Sequence, residues 1–565
     1  MTFQKRYIQF GILCDSTHLY TWQETVIKKL VAECDVELKL VVFEKAGQID
    51  TYPISLQNSY SRIGFLWNLF YRHKVKKKSK ALKKVETGRL FKDIPKIHCN
   101  FITVDRLTQL EAADIEKIKD AGLDFMLNFA SVQFSGTILN TAAYGIWSFW
   151  FGELGKYDGP TPCFWEIYHK DLLSSAYLIR VTDGSDLTSV LREGHLKTDI
   201  LYHKNLDNIH FETTGWPLKL CHDIRTGQAG NFTNTRNIKL GRQISCPSNL
   251  QLLNFFGIQL SQGLKKAYNL IFYTDYWNIG IVFSPIQEFL DTEKKPVVQW
   301  FPNLVKSHFM ADPFGILFKG KLYVLYEDFR FDQGLGKTAS FLVDNGKFME
   351  NKIVIAEKFH MSYPFILEYE NNIYCIPETH QANQVRLYRA TDFPKKWKLE
   401  KVLIENYAGI DSTLFEYNDT WFLFSSNKNS GHRYNLNIHY SNSIFGPWRE
   451  HPKNPVKTDI RSARPAGTMF IHNGEIFRPS MDYSEKIEGR ITLNKISTLT
   501  IDDFEEEFHN IVHPFKNAYY SDKVHTLSQI GSYTLVDGAK ELFILSNFNV
   551  FRYKISRILK KLKNN

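Results

Sequence analysis

The sequence predicts two folded parts, an α/β Rossmann-like domain followed by an all-β five-bladed propeller. In the first half, short apolar segments alternate with helical ones, which is typical of a mostly parallel sheet covered by helices. In the second half, a hairpin pattern recurs with the period of a four-stranded propeller blade, about 40 to 50 residues. With 565 residues, 43% of them hydrophobic and 15% aromatic, the chain can bury two cores.

The first half predicts strands and helices in alternation. The expected strands are Ile8–Cys14, Val36–Phe43, His98–Val104 and Leu123–Phe129, and the expected helices are Thr21–Cys34 and Leu107–Ala121. No GxGxxG motif opens the first helix, so a dinucleotide site is not expected. We place this domain at 1–205, a connecting segment at 206–262 that includes the Gly-, Asn- and Thr-rich stretch 226–237, the propeller at 263–550 and a basic C-terminal helix at 551–565.

Residues 123 to 200 carry a family resemblance. The run LDFMLNFASVQFSGTILNTAAYGIWSFWFGELGKYDGPTPCFWEI and the later LIRVTDGSDLTSVLREG resemble the folate-dependent formyltransferases of methionyl-tRNA and sugar nucleotides. That family uses an Asn, a His two residues later and a distant Asp. Here Ser148 and Trp150 stand in the first two places, and only Asp186 matches.

The two replacements decide what this half is expected to do. A tryptophan has one N–H donor and no basic nitrogen, so Trp150 cannot carry a proton as imidazole does. We therefore expect a formyltransferase-type fold without bound folate, which holds a ligand, packs on the propeller or contacts a partner. Sugar-nucleotide N-formyl transfer remains an alternative, in which His169 or His195 would replace the missing histidine.

The second half repeats one spacing four times. A polar or aromatic residue precedes a strand, and a second residue follows 15 positions later; the starting positions are 51, 48 and 53 residues apart, and a looser fifth copy begins 61 residues on, at His525. A radial repeat brings the same position of every blade to one axis. The starting residues are therefore expected to converge, and 276–282 is expected to supply the strand that closes the ring. The pairs are Asp312/Glu327, Tyr363/Glu378, Asp411/Ser426 and Arg464/Pro479.

These residues predict a carbohydrate site. Sugar transfer or hydrolysis needs two facing carboxyl groups, one acidic and one ionised, and like-charge proximity raises the pKa of one of them. We predict catalytic roles for Asp312, Glu378 and Asp411; Arg464 could hold a phosphate. Turn capping by the two aspartates and an ion pair of Arg464 are the structural alternatives. The predicted substrate-binding residues are Glu327, Tyr363, Arg464, Asp482 and His525. His360 and His380 are predicted to be surface or loop residues, and no metal is expected.

A second resemblance covers residues 265 to 545. The phrases ADPF, HMSYPFILE, IYCIPET, RLYRATDFPKKW, FGPWREHPKNPV and SARPAGTMF resemble the propeller domain of plant glucosamine inositolphosphorylceramide transferases. Similar modules occur in bacterial polysaccharide-biosynthesis proteins, some of them behind a formyltransferase-like domain. In the plant enzymes the module accompanies a separate glycosyltransferase domain. The resemblance implies a role with carbohydrate.

The formal net charge of +10 is concentrated in two segments. Eight of the thirteen residues from 72 to 84 are Lys or Arg, directly after the apolar run IGFLWNLFY, and FRYKISRILKKLKNN ends the chain. Such segments predict peripheral contact with an anionic membrane, with a solvated basic helix as the alternative. Nucleic acid is not an expected partner, because no recognition module accompanies the charge. Seven irregularly spaced cysteines and no long apolar stretch predict a cytoplasmic protein, with the inner membrane face as an option.

Three function classes remain. The first, which we favour, is a glycosyltransferase of cell-surface polysaccharide or glycolipid assembly, with a nucleotide-linked or lipid-linked sugar donor and a carbohydrate or glycolipid acceptor. The second is a glycoside hydrolase or phosphorylase of the five-bladed propeller type. The third is a non-catalytic protein that binds carbohydrate or a partner.

Overall fold

A computed structural model describes the greater part of the chain, in two compact units, Met1–Gly263 and Leu264–Asn565. The residues described are 7–45, 64–104, 107–157, 159, 161–182, 187–232, 237–239, 245–302, 308–344, 347–484, 489–516, 518–544 and 548–563.

The first unit is built on an eight-stranded sheet. Five neighbouring strands are parallel, and the remaining three join them antiparallel at one edge. In spatial order the strands are Asn237–Lys239, Leu187–Lys197, Leu173–Arg180, Ile146–Phe151, Phe125–Asn128, Ile8–Cys14, Val36–Glu44 and Lys96–Cys99. Ile8–Cys14 is almost completely buried, as a strand covered on both faces must be. Two small sheets complete this unit. One pairs His18–Tyr20 with Lys84–Glu86, and the other consists of Ile102–Val104, Leu107–Gln109 and Gln133–Phe134.

The helices of this unit follow amphipathic segments. Thr21–Val31 buries Trp22, Val26 and Leu30 at helical spacing, and Gln23 closes a capping box with Tyr20. The other α-helices are Phe65–Phe70, Lys76–Lys78, Ala112–Asp120, Phe164–His169, Tyr202–Thr213, Trp216–Arg225 and Asn249–Phe272, which ends in the second unit; Tyr71–Val75 is a π-helix, and Gly136–Asn140 and Gln228–Phe232 are 3-10 helices.

Three sequence-based boundaries differ from the structure. The predicted strand 98–104 is two strands in different sheets, and the predicted helix 107–121 starts with a short strand before the helix Ala112–Asp120. The segment 206–262, predicted as a connection, is largely helical where it is described and belongs to the first compact unit. Its polar composition reflects exposed helix faces, because the buried faces of these helices carry residues such as Leu206, Trp216 and Leu220.

The second unit is a propeller of five antiparallel sheets. We name them blades 1 to 5 and give the strands from the innermost outward. Blade 1 is His308–Phe318, Lys321–Arg330, Leu335–Asp344 and Lys347–Ile355; blade 2 is Ser362–Tyr369, Asn372–Glu378, Gln384–Asp392 and Lys396–Glu405; blade 3 is Gly409–Tyr417, Thr420–Asn427, Asn435–Ser441 and Arg449–Glu450, with Lys457–Thr458 also on its third strand; blade 4 is Phe470–His472, Glu475–Asp482, Arg490–Leu499 and Phe504–Val512; blade 5 is Leu527–Ile530, Tyr533–Phe543, Tyr273–Val282 and Val298–Trp300.

The first and the last strand of the propeller meet in blade 5. The strand Tyr273–Val282 pairs with Tyr533–Phe543 over ten residues, so the predicted closing strand is confirmed. This pairing ties the beginning of the propeller to its end and leaves no blade incomplete. Short 3-10 helices lie at Ile286–Leu290 and His380–Ala382.

The C-terminal helix Phe548–Lys563 packs on the propeller. Its Tyr553 ring lies 5.8 Å from the Phe329 ring and 5.9 Å from the Phe331 ring, measured between centroids. In the part of the chain that the structure describes, no helix combines the length and the apolar character needed to span a bilayer.

The repeat has a backbone signature that corrects its fourth copy. Asp312, Tyr363 and Asp411 have φ of 54°, 45° and 51°, each at a bulge of its innermost strand. In blade 4 the left-handed residue is Gly467, with φ of 125°, and not Arg464. The 15-residue spacing therefore assigned blade 4 the wrong residue, because the connection into this blade is longer and its inner strand is irregular.

Gly467 gives a direct test of this packing. An added Cβ would stand 1.9 Å from the Leu527 carbonyl oxygen, so Gly467→Ala should lower the unfolding free energy by more than the roughly 1–3 kcal/mol of backbone strain alone. Gly320→Ala is the control, because its φ is also positive at 74° and nothing lies within 4 Å of the new Cβ. Urea unfolding of the two variants measures the difference; equal losses would contradict the close approach of blades 4 and 5.

Candidate functional site

The centre of the propeller is polar and joins all five blades. Most non-glycine residues avoid positive φ, and such conformations persist only where surrounding contacts hold them. Asp312, Tyr363 and Asp411 adopt it in three successive blades, and each is buried. Their side chains make the hydrogen bonds that link one blade to the next. The predicted convergence of the repeat is thus observed for these three residues.

Asp312 and His525 form the first of these links. Asp312 accepts hydrogen bonds from His525 Nδ1 at 2.8 Å, from Thr526 Oγ1 at 3.2 Å and from the Tyr363 backbone N–H at 3.1 Å. Asp537, in the second strand of blade 5, accepts from the backbone N–H of His525 and from that of Asp312. Burial disfavours the charged imidazolium, but the negative charges of Asp312 and Asp411 outweigh it and raise the pKa of His525 to about 9.

Asp411 and Arg464 form the second link. Arg464 donates to Asp411 through Nε and through Nη2, the latter at 3.2 Å, and its Nη1 donates to the Tyr483 hydroxyl at 2.9 Å. Such a bidentate pair is strong and fixes the orientation of both groups. Burial raises the pKa of Asp411 to about 6 even though Arg464 opposes the shift. Arg464 reaches the centre although it precedes the left-handed position of its blade.

Tyr363 occupies the third link and is fully buried. Its hydroxyl lies 2.9 Å from Thr413 Oγ1 and accepts the Gly467 backbone N–H at 2.6 Å. Blades 2, 3 and 4 are joined through this one phenol. A hydroxyl so engaged holds the blades together, and its predicted contact with substrate stays a prediction.

Two glutamates lie near the C-terminal ends of the second strands of blades 1 and 2. Glu327 is opposite Ala311 and Glu378 is opposite Ser362, the residues that precede the left-handed positions. Glu378 lies 2.5 Å from His380 Nδ1, and Glu327 lies 3.6 Å from His360 Nε2. Their side chains keep exposed fractions of only 6% and 8%.

The environments of the two glutamates push their pKa values apart. Burial raises the pKa of Glu327 well above its usual range, and the negative charges of Asp312 and Glu378 raise it further. For Glu378, burial is outweighed by the hydrogen bond and charge of His380 and by Arg464, which lower its pKa to about 2. One carboxyl is therefore held protonated and the other ionised within one polar centre, the arrangement expected of an acid and a base.

The sequence missed the two histidines beside the glutamates. His360 and His380 lie in connections between strands, as predicted, but their side chains are only 18% and 16% exposed, their rings lie 6.0 Å apart, and each contacts a glutamate. Glu378-x-His380 is the one sequence signal that could have identified the second histidine. His360 offered none, because it reaches Glu327 from the connection between blades.

Asp482 lies apart from these links. It accepts from Arg490 Nε at 2.8 Å and from the Ser484 N–H, also at 2.8 Å, and is 2% exposed. This ion pair joins the end of the second strand of blade 4 to the start of its third strand. The predicted substrate contact of Asp482 has no geometric support beyond the neighbouring Tyr483, which binds Arg464.

One group among the described residues could hold a metal ion. Ligand atoms of Asp312, His525 and Asp537 lie within 4.8 Å of one another. Metal binding requires neutral imidazole, so a cation here would replace the proton through which His525 is paired with Asp312.

The rim beside Arg464 carries further basic side chains. Lys428, His432 and Arg433 lie in the connection between the second and third strands of blade 3. Burial and the nearby positive charges of Lys428, Arg464 and Arg433 together lower the pKa of His432 to about 3, so this ring is neutral. The crowded charges of the lysine and the two arginines attract an anion.

In the first unit, two of the three predicted formyltransferase positions are described. Ser148 and Trp150 lie in the strand Ile146–Phe151, and Ser148 is paired with Asn128 of the neighbouring strand. The Trp150 Nε1 is buried and has no hydrogen-bond partner among the described residues. Asp186 lies outside the described residues. The suggested alternatives, His169 and His195, contact Tyr157 and Ser175 at 3.1 and 3.0 Å.

The comparison with known proteins concerns the propeller. Residues 300–529 match the family described as glucosamine inositolphosphorylceramide transferase 1, N-terminal. The protein of that name from Oryza sativa subsp. indica is 39% identical over 215 residues, which are 35% of this chain and 28% of the rice protein. The Arabidopsis thaliana protein is 34% identical over 220 residues, 37% of this chain and 28% of its own length. The match thus spans less than a third of these relatives.

Solved structures show weaker likenesses. Zg3597, a family 117 glycoside hydrolase from Zobellia galactanivorans, has a TM-score of 0.31 at 15% identity, covering 41% of this chain and 85% of its own. The α-L-arabinanase of Cellvibrio cellulosa has a TM-score of 0.29 at 11% identity, covering 35% and 77%. The propeller is identified from its own strand order.

The buried His525 predicts a pH-dependent stability. A pKa raised from 6.5 to about 9 stabilises the fold by about 3 kcal/mol below pH 6.5, and this contribution is lost as the pH rises through 9. His525→Gln removes the titration and keeps a polar side chain. Between pH 6 and pH 10 the unfolding free energy of the natural protein should therefore fall by about 3 kcal/mol more than that of the variant. Urea unfolding measures both free energies. If they changed with pH to the same extent in the natural protein and the variant, a charged His525–Asp312 pair would be excluded.

Proposed function

We propose that this chain takes part in sugar transfer during glycolipid or cell-surface polysaccharide assembly, with the reacting groups at the centre of the propeller. The observation that carries the proposal is the pair of buried glutamates Glu327 and Glu378, each beside a histidine, whose surroundings shift their pKa values in opposite directions. Cleavage of a glycosidic bond needs both forms, a proton for the leaving oxygen and a negative charge beside the oxocarbenium-like carbon.

The two glutamates take different roles in this proposal. Glu327 is the proton donor, because its pKa is raised by burial and by neighbouring carboxylates. Glu378 is the ionised partner, because His380 and Arg464 keep its pKa low. The His360 Nε2 lies 3.6 Å from the Glu327 carboxyl group. Asp312 and Asp411, the other predicted catalytic residues, act here by fixing His525 and Arg464.

The rim fits an activated, phosphate-bearing donor. The Arg464 side chain is 19% exposed, and the positive charges of Lys428 and Arg433 lie close enough to it that all three lower the pKa of His432. Arginine and lysine bind phosphate oxygens as charged donors. Trp277, half-buried and 6.1 Å from the His525 ring, offers an apolar face for a sugar ring.

The similarity supports transfer over hydrolysis. The rice and Arabidopsis relatives that align with this propeller carry the name glucosamine inositolphosphorylceramide transferase 1. Their names combine a sugar with a phosphate-bearing glycolipid, which agrees with the basic rim. The donor and acceptor classes of this chain are proposed on that basis.

Substitution of the two glutamates tests the assignment. Glu327→Gln should lower sugar transfer by about 10²–10⁴-fold, because positioned proton transfer contributes that much. Glu378→Gln should lower it as well, because the neutral amide lacks the negative charge beside the oxocarbenium-like carbon. The assay follows labelled sugar from a panel of nucleotide sugars into extracted glycolipid. Glu416→Gln, an exposed glutamate of the innermost strand of blade 3, is the matched control and should keep full activity.

The same assay separates the alternatives. Release of free sugar from oligosaccharides, without a donor, would indicate a hydrolase at the same carboxyl pair. Thermal stabilisation by a sugar ligand without turnover, equal in the natural protein and both variants, would indicate binding without catalysis. Full activity in both glutamine variants would remove the propeller centre from the chemistry.

The pH profile adds an independent test. Since Glu327 acts protonated, the rate should fall on the alkaline side as this carboxyl ionises. Glu327→Gln cannot ionise at this position, so its residual rate should lose this alkaline limb. If the rate of the variant fell on the alkaline side as the rate of the natural protein does, the fall would have to be assigned to the ionisation of another group.

A further inference from the structure

The first unit presents a surface in which exposed apolar side chains border a dense basic segment. We propose that this surface binds the headgroup region of an anionic membrane. The surface is formed by two helical segments, 64–78 and 249–260. The proposal does not depend on the sugar-transfer activity.

The two segments are fixed to each other and to the core of this unit. The Phe70 ring lies 5.0 Å from the Phe256 ring, and the backbone N–H of Leu66 donates to Asn249 Oδ1 at 3.0 Å. Trp67 is buried, with its ring 5.1 Å from that of Phe164. The position of the exposed side chains is therefore set by buried neighbours on the same helices.

The outward faces of both segments are apolar to an unusual degree. Phe65 and Leu69 are 63% and 48% exposed, one turn apart on the first segment. On the second, the exposed fractions are 77% for Leu250, 58% for Leu253 and 66% for Leu260. Single exposed apolar residues are ordinary, but five on two packed helices form a patch of the kind that marks an interaction site.

The charge beside this patch identifies the partner. From 72 to 84, eight of thirteen residues are Lys or Arg and none is acidic, and Lys77, Lys78 and Lys80 are exposed. The Asp207 carboxylate accepts the N–H groups of Lys80 and Ala81, which holds the basic segment at the end of the apolar helix. An apolar face that inserts beside lysines that contact anionic headgroups is the pattern of an interfacial membrane helix.

A second copy of this chain and a nucleic acid are the competing partners. Pairing of two copies through the apolar patch would bring the two basic segments toward each other, which like-charge repulsion opposes. A nucleic acid would use the lysines but leave the exposed leucines without a role. A membrane uses both properties, and the observations therefore favour it.

Vesicle sedimentation with the full chain tests the proposal. The natural protein should bind phosphatidylserine-containing vesicles more tightly than pure phosphatidylcholine vesicles, and less tightly at high salt. The triple variant Lys77→Gln, Lys78→Gln, Lys80→Gln should bind about 100-fold more weakly, at roughly 1 kcal/mol per basic residue. The control removes the same charge from blade 2, at Lys395, Lys396 and Lys401, and should bind normally.

The apolar half has its own variant. Phe65→Ser with Leu69→Ser and Leu253→Ser should weaken binding to the same vesicles at least tenfold, whereas serine at the exposed Leu317 and Leu399 of the propeller should not. Normal binding by both surface variants, or no binding by the natural protein, overturns the proposal. It is also overturned if the serine variant dissociates a dimer without affecting vesicle binding, or if the lysine variant loses only nucleic-acid binding.

Discussion

The buried contact between Asp312 and His525 is the constraint on which the propeller centre depends. It joins the inner strand of blade 1 to the residue just before the inner strand of blade 5, at 2.8 Å between the carboxylate oxygen and Nδ1. A buried ion pair contributes to stability only when further hydrogen bonds satisfy its remaining atoms. Here Thr526 and the Tyr363 N–H bind the same carboxylate, so blades 1, 2 and 5 share one anchor.

Two further anchors complete the ring and explain its strained backbone. The Asp411–Arg464 pair joins blades 3 and 4, and the Tyr363 hydroxyl joins blades 2, 3 and 4. A positive φ in an aspartate or a tyrosine costs about 1–3 kcal/mol, which these contacts offset. The backbone strain at Asp312, Tyr363 and Asp411 thus results from directing each of these side chains from the innermost strand of its own blade toward the neighbouring blades.

The sequence predicted the blades well because their information is local. Alternating apolar residues around Asn, Asp and Gly turns specify each hairpin, and a fixed period specifies the ring. It failed where contacts are distant. Asp537 was not recognised because it does not fall at the 15-residue spacing of the repeat, and His360 was not recognised because the glutamate it contacts is 33 positions away in the chain. The fourth copy of the repeat was assigned to Arg464 because this residue and Gly467 lie close together in the chain. The positive φ of Gly467, which the sequence does not show, is what distinguishes the two positions.

The division of roles between the two positions of the repeat follows from burial and pairing. The starting residues of the repeat are held by the neighbouring blades, so a change of protonation at Asp312 or Asp411 would disturb the ring itself. Glu327 and Glu378, which follow 15 residues later, lie beside histidines of short connections. Loss of a proton from Glu327 breaks none of the hydrogen bonds through which Asp312, Tyr363 and Asp411 link the blades. The repeat can therefore keep its starting residues for architecture and place acid–base chemistry at its second position, which is where the pKa values diverge.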